Sequence, residues 1–218
     1  MSATSKSTYD VIIIGGGVMG CSIAYNLIRS DNNLDIVVVE KNPTYAESST
    51  ILSEGNIRVQ FNVKENIEMS LFGIQVLSRF SEEMAVINNK PDVNFRQQGN
   101  LFIIDKSNYE EAKQGFALQK SLGCQVEWLH PDQIHNYYPY YNLSGCLAAT
   151  YGRQDGTITP NVVLAGYKNK ALSLGVSLIT DTVSKIITNN QQVDGVKLDK
   201  GHYLRSNIVV NAAGAWAP

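Results

Sequence analysis

The chain has 218 residues, 44% of them hydrophobic, enough apolar material for one large domain or two small ones. Charged residues make up only 17%, and a net charge of −2 gives no electrostatic case for nucleic-acid binding, which needs basic patches. Three scattered cysteines, Cys21, Cys124 and Cys146, form no C-x-x-C pair and fit a reducing compartment, and no apolar run reaches the roughly 18–20 residues of a membrane-spanning helix.

The chain opens on MSATSKST, hydroxyl-rich and free of acid, with one lysine and no arginine, too short a stretch to read as a transit peptide. Tyr9–Ile14 is a β-branched run that breaks into Gly15-Gly16-Gly17-Val18-Met19-Gly20, a G-x-G-x-x-G. A helix pattern over Cys21–Arg29 follows, then a strand at Leu34–Val39, and then Glu40. Each glycine has its own reason to be there: Gly15 for the tight turn, Gly17 for close approach of a pyrophosphate, Gly20 for helix–sheet packing. Val18 and Met19 lie in this turn, ahead of the helix, whose N-terminus with its free N–H groups and positive dipole end suits an anion. Glu40, twenty residues past Gly20, is placed to accept hydrogen bonds from a ribose 2′-OH, and its charge disfavours the 2′-phosphate of NADP. The frame is that of a Rossmann-like dinucleotide site, for NAD or for FAD. A P-loop is excluded, because Cys21 stands where its lysine is required, and Cys21 reads as a small core hydrophobe.

Further on, Pro43 ends the strand and Glu47–Gly55 is a polar loop. Asn62 caps a helix through Glu83, with Ile67, Leu71, Ile74, Leu77 and Phe80 on one face. Asn88–Pro91 reads as a turn, and Asn94–Ile104 as two short strands hinged at Gly99-Asn100. A polar helix (Ser107–Leu122), a strand (Val126–Leu129), a short helix (Pro131–Tyr137) and a strand-like Gly145–Thr150 come next. Asp155-Gly156 reads as a turn, and Pro160–Leu174 as a helix stopped by Gly175. Strands at Val176–Ile179, Val183–Thr188, Val193–Leu198 and Tyr203–Arg205 then precede Ile208–Asn211, whose first three residues read as a strand buried on both faces.

The fold class expected is α/β: a nucleotide domain with a parallel sheet, in two parts (9–90 and 152–218), interrupted by an antiparallel-rich insertion at 91–151. Ile208–Val210 lacks a covering helix, so a truncated chain or half of a larger enzyme is expected. Three other patterns are set aside. Tyr109–Lys113 matches Y-x-x-x-K, but the glycine pattern is wrong for a short-chain dehydrogenase. His130 and His135 lack a third metal ligand at suitable spacing. The run Tyr137-Tyr138-Pro139-Tyr140-Tyr141 reads as packing of the insertion.

Four segments together resemble the FAD-dependent oxidoreductases of the D-amino acid oxidase, sarcosine oxidase and dimethylglycine dehydrogenase type. They are the opening βαβ with Glu40; Ser48-Ser49-Thr50 with Gly55-Asn56-Ile57-Arg58-Val59-Gln60-Phe61, similar to G-G-[IV]-R-x-Q-F; Phe95–Leu101, similar to F-R-x-x-G-x-L; and Asn211-Ala212-Ala213-Gly214-Ala215-Trp216, similar to N-A-A-G-A-W. The likeness covers nearly the whole chain and about the N-terminal half of a typical member. Val39–Lys41, Thr44-Tyr45 and Glu65–Ile67 also resemble a mitochondrial branch linked to assembly of the respiratory NADH dehydrogenase complex.

The resemblance implies FAD as cofactor, an amine or amino-acid substrate, and a hydride leaving a C–N bond for the flavin. It also implies a mitochondrial location, where the N-terminus alone suggests the cytosol, and respiratory-chain assembly partners for that branch. By the same likeness Ser48, Ser49 and Thr50 contact the pyrophosphate and ribityl chain, while Lys41 joins Glu40 at the cofactor. Gly55, Asn56 and Ile57 line the cofactor, Arg58 lies near the flavin ring, and Val183 makes backbone contacts to the adenine. Ala212, Ala213 and Gly214 pass beside the cofactor, with Trp216 packing near it. Asn56 departs from the family's second glycine, which implies a less close approach of the backbone there. Each assignment also has a plain alternative: a polar loop, a salt-bridge arginine, a core valine, a core tryptophan.

Overall fold

A computed structural model describes residues 6–217; the first five residues of the hydroxyl-rich N-terminal stretch lie outside the described residues, as does Pro218. In chain order the elements are β1 (Val11–Ile14), α1 (Val18–Ser30), β2 (Ile36–Glu40), β3 (Asn56–Ile57), α2 (Lys64–Glu83) and β4 (Asn100–Ile104). Then come α3 (Tyr109–Ser121), β5 (Val126–Leu129), α4 (Pro131–Tyr137), β6 (Ala148–Gly152), β7 (Gly156–Thr157) and α5 (Pro160–Ser173). The last are β8 (Ser177–Thr180), β9 (Val183–Asn189), β10 (Gln192–Leu198), β11 (Tyr203–Arg205), β12 (Val209–Asn211) and a 3-10 turn, Gly214–Trp216.

The chain divides into two compact units, one of residues 1–53, 82–91 and 160–218, the other of 54–81 and 92–159. The boundary expected at 91 falls within one residue of a unit limit, whereas the one expected at 151 lies at 159, and residues 54–81 do not stay with the nucleotide-binding part. Residues 54–81 group with the insertion because β3 pairs antiparallel with β7, Ile57 opposite Gly156, and because Val59 and Ile67 share a core with Cys124 and Val126. A pairing across about a hundred residues leaves no local trace in the sequence.

In the first unit, β12, β1, β2 and β8 form a parallel sheet in that order, with Ile12 opposite both Val37 and Val209. Ile12 and Ile13 are both fully buried, on opposite faces. Ile12 packs with Val37, Val39, Val196, Leu198 and Leu204, so the antiparallel β9–β10–β11 layer covers that face. Ile13 reaches Gly20 of α1, and α1 in turn meets α5 through Tyr25 and Tyr167, rings 5.7 Å apart. Each such aliphatic side chain contributes about 1.5–3 kcal/mol by leaving water. The expected α/β class, a Rossmann-like parallel sheet, is what the structure has.

Two local expectations are corrected. Among the described residues Ile208–Val210 is not buried on both faces: β12 ends the sheet order, Val209 and Val210 are half-buried, and Ile208 is 55% exposed. Residues 94–98 form no strand, only an isolated bridge from Arg96 to Thr157. Asn94 sits at φ +51° with its N–H held by the Asp92 carboxylate, and this local turn competes with strand pairing.

In the second unit, β4, β6 and β5 form an antiparallel sheet. The apolar face of α2 packs Ile67, Leu71 and Ile74 against Phe116 and Leu122 of the α3 region. Leu129, Ile134 and Ala149 make a second cluster that takes in Tyr138. The tyrosine run packs only in part: Tyr138 and Tyr141 stack at 5.0 Å, while Tyr140 is 98% exposed.

Candidate cofactor site

The strand-to-helix turn of the first unit is built on glycines that answer different demands. Gly15 has φ +97°, and a Cβ there would lie 2.5 Å from the Ala212 carbonyl oxygen. Its N–H donates to the Val39 carbonyl at 2.8 Å. A Cβ on Gly20 would fall 1.9 Å from the Gly15 carbonyl oxygen, so α1 can approach the sheet only through a bare glycine. Gly17 is different: its backbone is extended, and a Cβ would meet only Thr50 Oγ1, at an ordinary 3.6 Å. The packing of this chain does not require glycine there.

Helix α1 starts at Val18, three residues earlier than its pattern predicts, so the loop amides already belong to its first turn. That turn carries no acidic residue, and its cap, Gly17, has no side chain to occupy the free amides. The Val18 N–H donates to the Thr50 hydroxyl at 3.2 Å, which brings the serine–threonine loop to the helix mouth. Met19, next in the turn, is 65% exposed.

Glu40 lies half-buried at the end of β2. Its Oε2 accepts the Gly16 N–H at 2.7 Å and its Oε1 the Asn42 N–H at 2.8 Å. A carboxylate has about four acceptor positions, which leaves two for hydroxyls of a ligand. Gly16 was not among the residues expected at the site. It belongs to it, because a Cβ would sit 3.1 Å from Glu40 Cβ and crowd the carboxylate.

Around this centre, the Ser48 Oγ accepts the Ile51 N–H at 3.3 Å and Ser49 is exposed. The Lys41 ammonium lies 3.1 Å from the centroid of Trp216, which is 58% exposed rather than a core tryptophan. Ala212 donates its N–H to the Ile14 carbonyl at 2.8 Å and Ala213 to Asn211 Oδ1 at 3.1 Å, while Gly214 has φ +60°. Val183 begins β9 and packs, half-buried, on the Ile12–Val39 cluster. Behind the loop, Cys21 donates its thiol to the Gly16 carbonyl at 3.0 Å, and burial pushes that thiol up to about 11. Burial likewise raises the Tyr45 phenol, whose hydroxyl has no hydrogen-bond partner among the described residues.

The remaining expected residues lie in the second unit. Gly55, with φ +72°, accepts the Ile158 N–H, and Asn56 Oδ1 accepts from Asn100 Nδ2 at 2.8 Å. The Arg58 guanidinium stacks over Phe61 at 4.6 Å and Phe102 at 5.4 Å. Together with Asn56, Ile57, Ser70, Gly73 and Leu77, Arg58 and Phe61 line a cleft of about 360 Å³. The structure thus gathers Gly15–Gly20, Glu40, Lys41, Thr50, Ala212–Gly214 and Trp216 in one unit and Gly55–Arg58 in the other. Sequence reasoning missed Asp155, a fully buried carboxylate in this second unit. The Asp155-Gly156 turn was legible, but burial depends on the partners that close over it.

Residues 10–218 match the family described as FAD dependent oxidoreductase, DAO. A Xenopus laevis FAD-dependent oxidoreductase domain-containing protein 1 is 36% identical over 231 residues, which cover 95% of this chain and 46% of the relative. Mouse mitochondrial sarcosine dehydrogenase is 26% identical over 97% of this chain and 23% of its own length. Among solved structures, L-proline dehydrogenase from P. horikoshii superposes with a TM-score of 0.84 at 27% identity, over 97% of this chain and 54% of that one. The chain therefore spans about half the length of the first of these relatives and of the solved structure, and less of the second. The uncapped first turn of α1, the Gly17 position that packing leaves free and the poised Glu40 suit a dinucleotide. On the family match and this geometry together, the chain belongs to the FAD dependent oxidoreductase family, and FAD is its cofactor.

Proposed function

We propose that this chain supplies the dinucleotide-binding part of an FAD-dependent oxidoreductase that oxidises a C–N bond of an amine or amino acid. The observation that carries this reading is Gly17: a Cβ there would meet, among the described residues, only the Thr50 hydroxyl at an ordinary distance, so a ligand, not the fold, calls for glycine. In this reading Gly15, Gly17, Val18, Met19 and Gly20 cradle the pyrophosphate, and Glu40 holds the adenosine ribose. Lys41 flanks that sugar. Ser48, Ser49 and Thr50 donate to the pyrophosphate and ribityl oxygens. Val183 meets the adenine through its backbone, and Ala212–Gly214 and Trp216 lie along the cofactor. Gly55, Asn56 and Ile57 line it further on. Bound flavin supplies the hydride acceptor. Arg58 is assigned to the flavin ring, where a permanently charged guanidinium stabilises negative charge on the reduced ring or a substrate carboxylate.

The test is anaerobic addition of N-methyl and α-amino acids to the full-length, FAD-loaded protein. Bleaching of the visible flavin band by at least one of them is expected; an unchanged spectrum across a broad panel overturns the reading. A second reading is a flavin-binding assembly factor for the respiratory NADH dehydrogenase complex with little turnover of its own. It draws on the resemblance of Val39–Lys41, Thr44-Tyr45 and Glu65–Ile67 to the mitochondrial branch linked to that assembly. Retained FAD that no amine reduces favours it. A mitochondrial location is proposed, in line with the relative named mitochondrial sarcosine dehydrogenase. The 218-residue chain by itself is proposed to be inactive, because it spans so little of its relatives' length.

A further inference from the structure

Asp155 is fully buried in the second unit and holds two separate stretches of chain. Its Oδ1 accepts the Val59 N–H at 2.9 Å, and its Oδ2 accepts Gln60 Nε2 at 2.9 Å and Asn100 Nδ2 at 3.4 Å. Its carbonyl takes the Gly99 N–H at 3.0 Å. One stretch, 58–61, carries Arg58 and Phe61; the other, 99–102, carries Phe102. These are the guanidinium and the two rings on which it stacks. A Cβ on Gly152 would lie 2.4 Å from Asp155 Oδ2, so β6 is bare where the carboxylate passes. Three side-chain acceptances converge on this group, and an ionised carboxylate offers only acceptors, unlike an amide of the same shape.

We propose that Asp155 is a positioning residue for Arg58, clamping the two stretches together so that the guanidinium stays stacked on Phe61 and Phe102 at the wall of the cleft. The link from there to the flavin rests on the assignment of Arg58 made above; the clamp itself does not. Burial raises the Asp155 carboxyl, while its hydrogen bonds and the Arg58 charge oppose the rise, so the guanidinium senses this anion.

The test uses the full-length, FAD-loaded protein with 15N-labelled arginine. The Arg58 Nε–H resonance, identified by its loss in Arg58→Lys, should show a ring-current shift from the two aromatic rings. In Asp155→Asn, which presents an amide to donors, most of that shift should vanish. The flavin midpoint potential should move in the same direction in Asp155→Asn and Arg58→Lys, and the double variant should move no further than Arg58→Lys. An unshifted Arg58 resonance in folded Asp155→Asn overturns the proposal. A lost ring-current shift with unchanged potentials in both single variants supports the clamp and overturns the placement of Arg58 at the flavin. Should Asp155→Asn fail to fold, Asn100→Ala decides by the same resonance, since it removes one donor and loosens the Phe102 stretch.

Discussion

Gly17 and Gly20 stand three residues apart in one motif, yet opposite pressures hold them. A methyl group on Gly20 collides with the Gly15 carbonyl oxygen, so Gly20→Ala should destabilise the fold by about 1–3 kcal/mol, read as a lower denaturant midpoint. Gly17→Ala should leave that midpoint nearly unchanged, because its φ of −63° is ordinary and its new contact is unstrained. The same variant should weaken FAD retention, and Gly17→Val should abolish it, as measured by flavin fluorescence after gel filtration. His130, at the cap of α4 with its N–H on Gln133 Oε1, gives the comparison: His130→Ala should keep full flavin occupancy. Glu40→Gln offers an NH2 group to one of the two amides that Glu40 now accepts from. That should cost about 1–3 kcal/mol through an unmet donor, seen in the apoprotein as well.

Among the elements, legibility followed locality. Helix α4 was read to the residue, Pro131–Tyr137, because proline fixes its first turn. The β1 and β2 runs were legible to within two residues at each end, since strands buried on both faces need unbroken apolar sequence. What the sequence hid depends on distant partners: the two-residue β3, defined only by β7, and the clamp of Asp155 on Val59 and Asn100. The Asp155 clamp also carries a pH signature. Burial raises its carboxyl above the ordinary value of about 3.9, so the folded protein holds that proton more tightly than the unfolded chain does. This group's contribution to stability therefore falls as pH rises from about 3.9 to its folded value, and stays low beyond. On acidification through that window, the melting temperature of the wild type should gain on that of Asp155→Asn.

At the scale of the whole molecule, the cofactor-binding portion of the fold was readable because its motif is continuous over residues 9–40, whereas the grouping of residues 54–81 with the insertion was not. The order β12-β1-β2-β8 sets strands from both ends of the chain side by side, Ile13 pairing with Val38 on one flank and with Val210 on the other. During synthesis the β12 side of β1 stays bare until nearly two hundred further residues have been made. Closing so long a loop is slow, and an unpaired apolar strand invites intermolecular pairing meanwhile. Ribosome-bound nascent chains stopped before residue 209 should be cut readily by protease near the glycine turn, and those carrying β12 clear of the exit tunnel should resist. A cell making this protein must therefore shelter its first strand until β12 has been made, which makes chaperone supply, as much as flavin supply, a determinant of its yield.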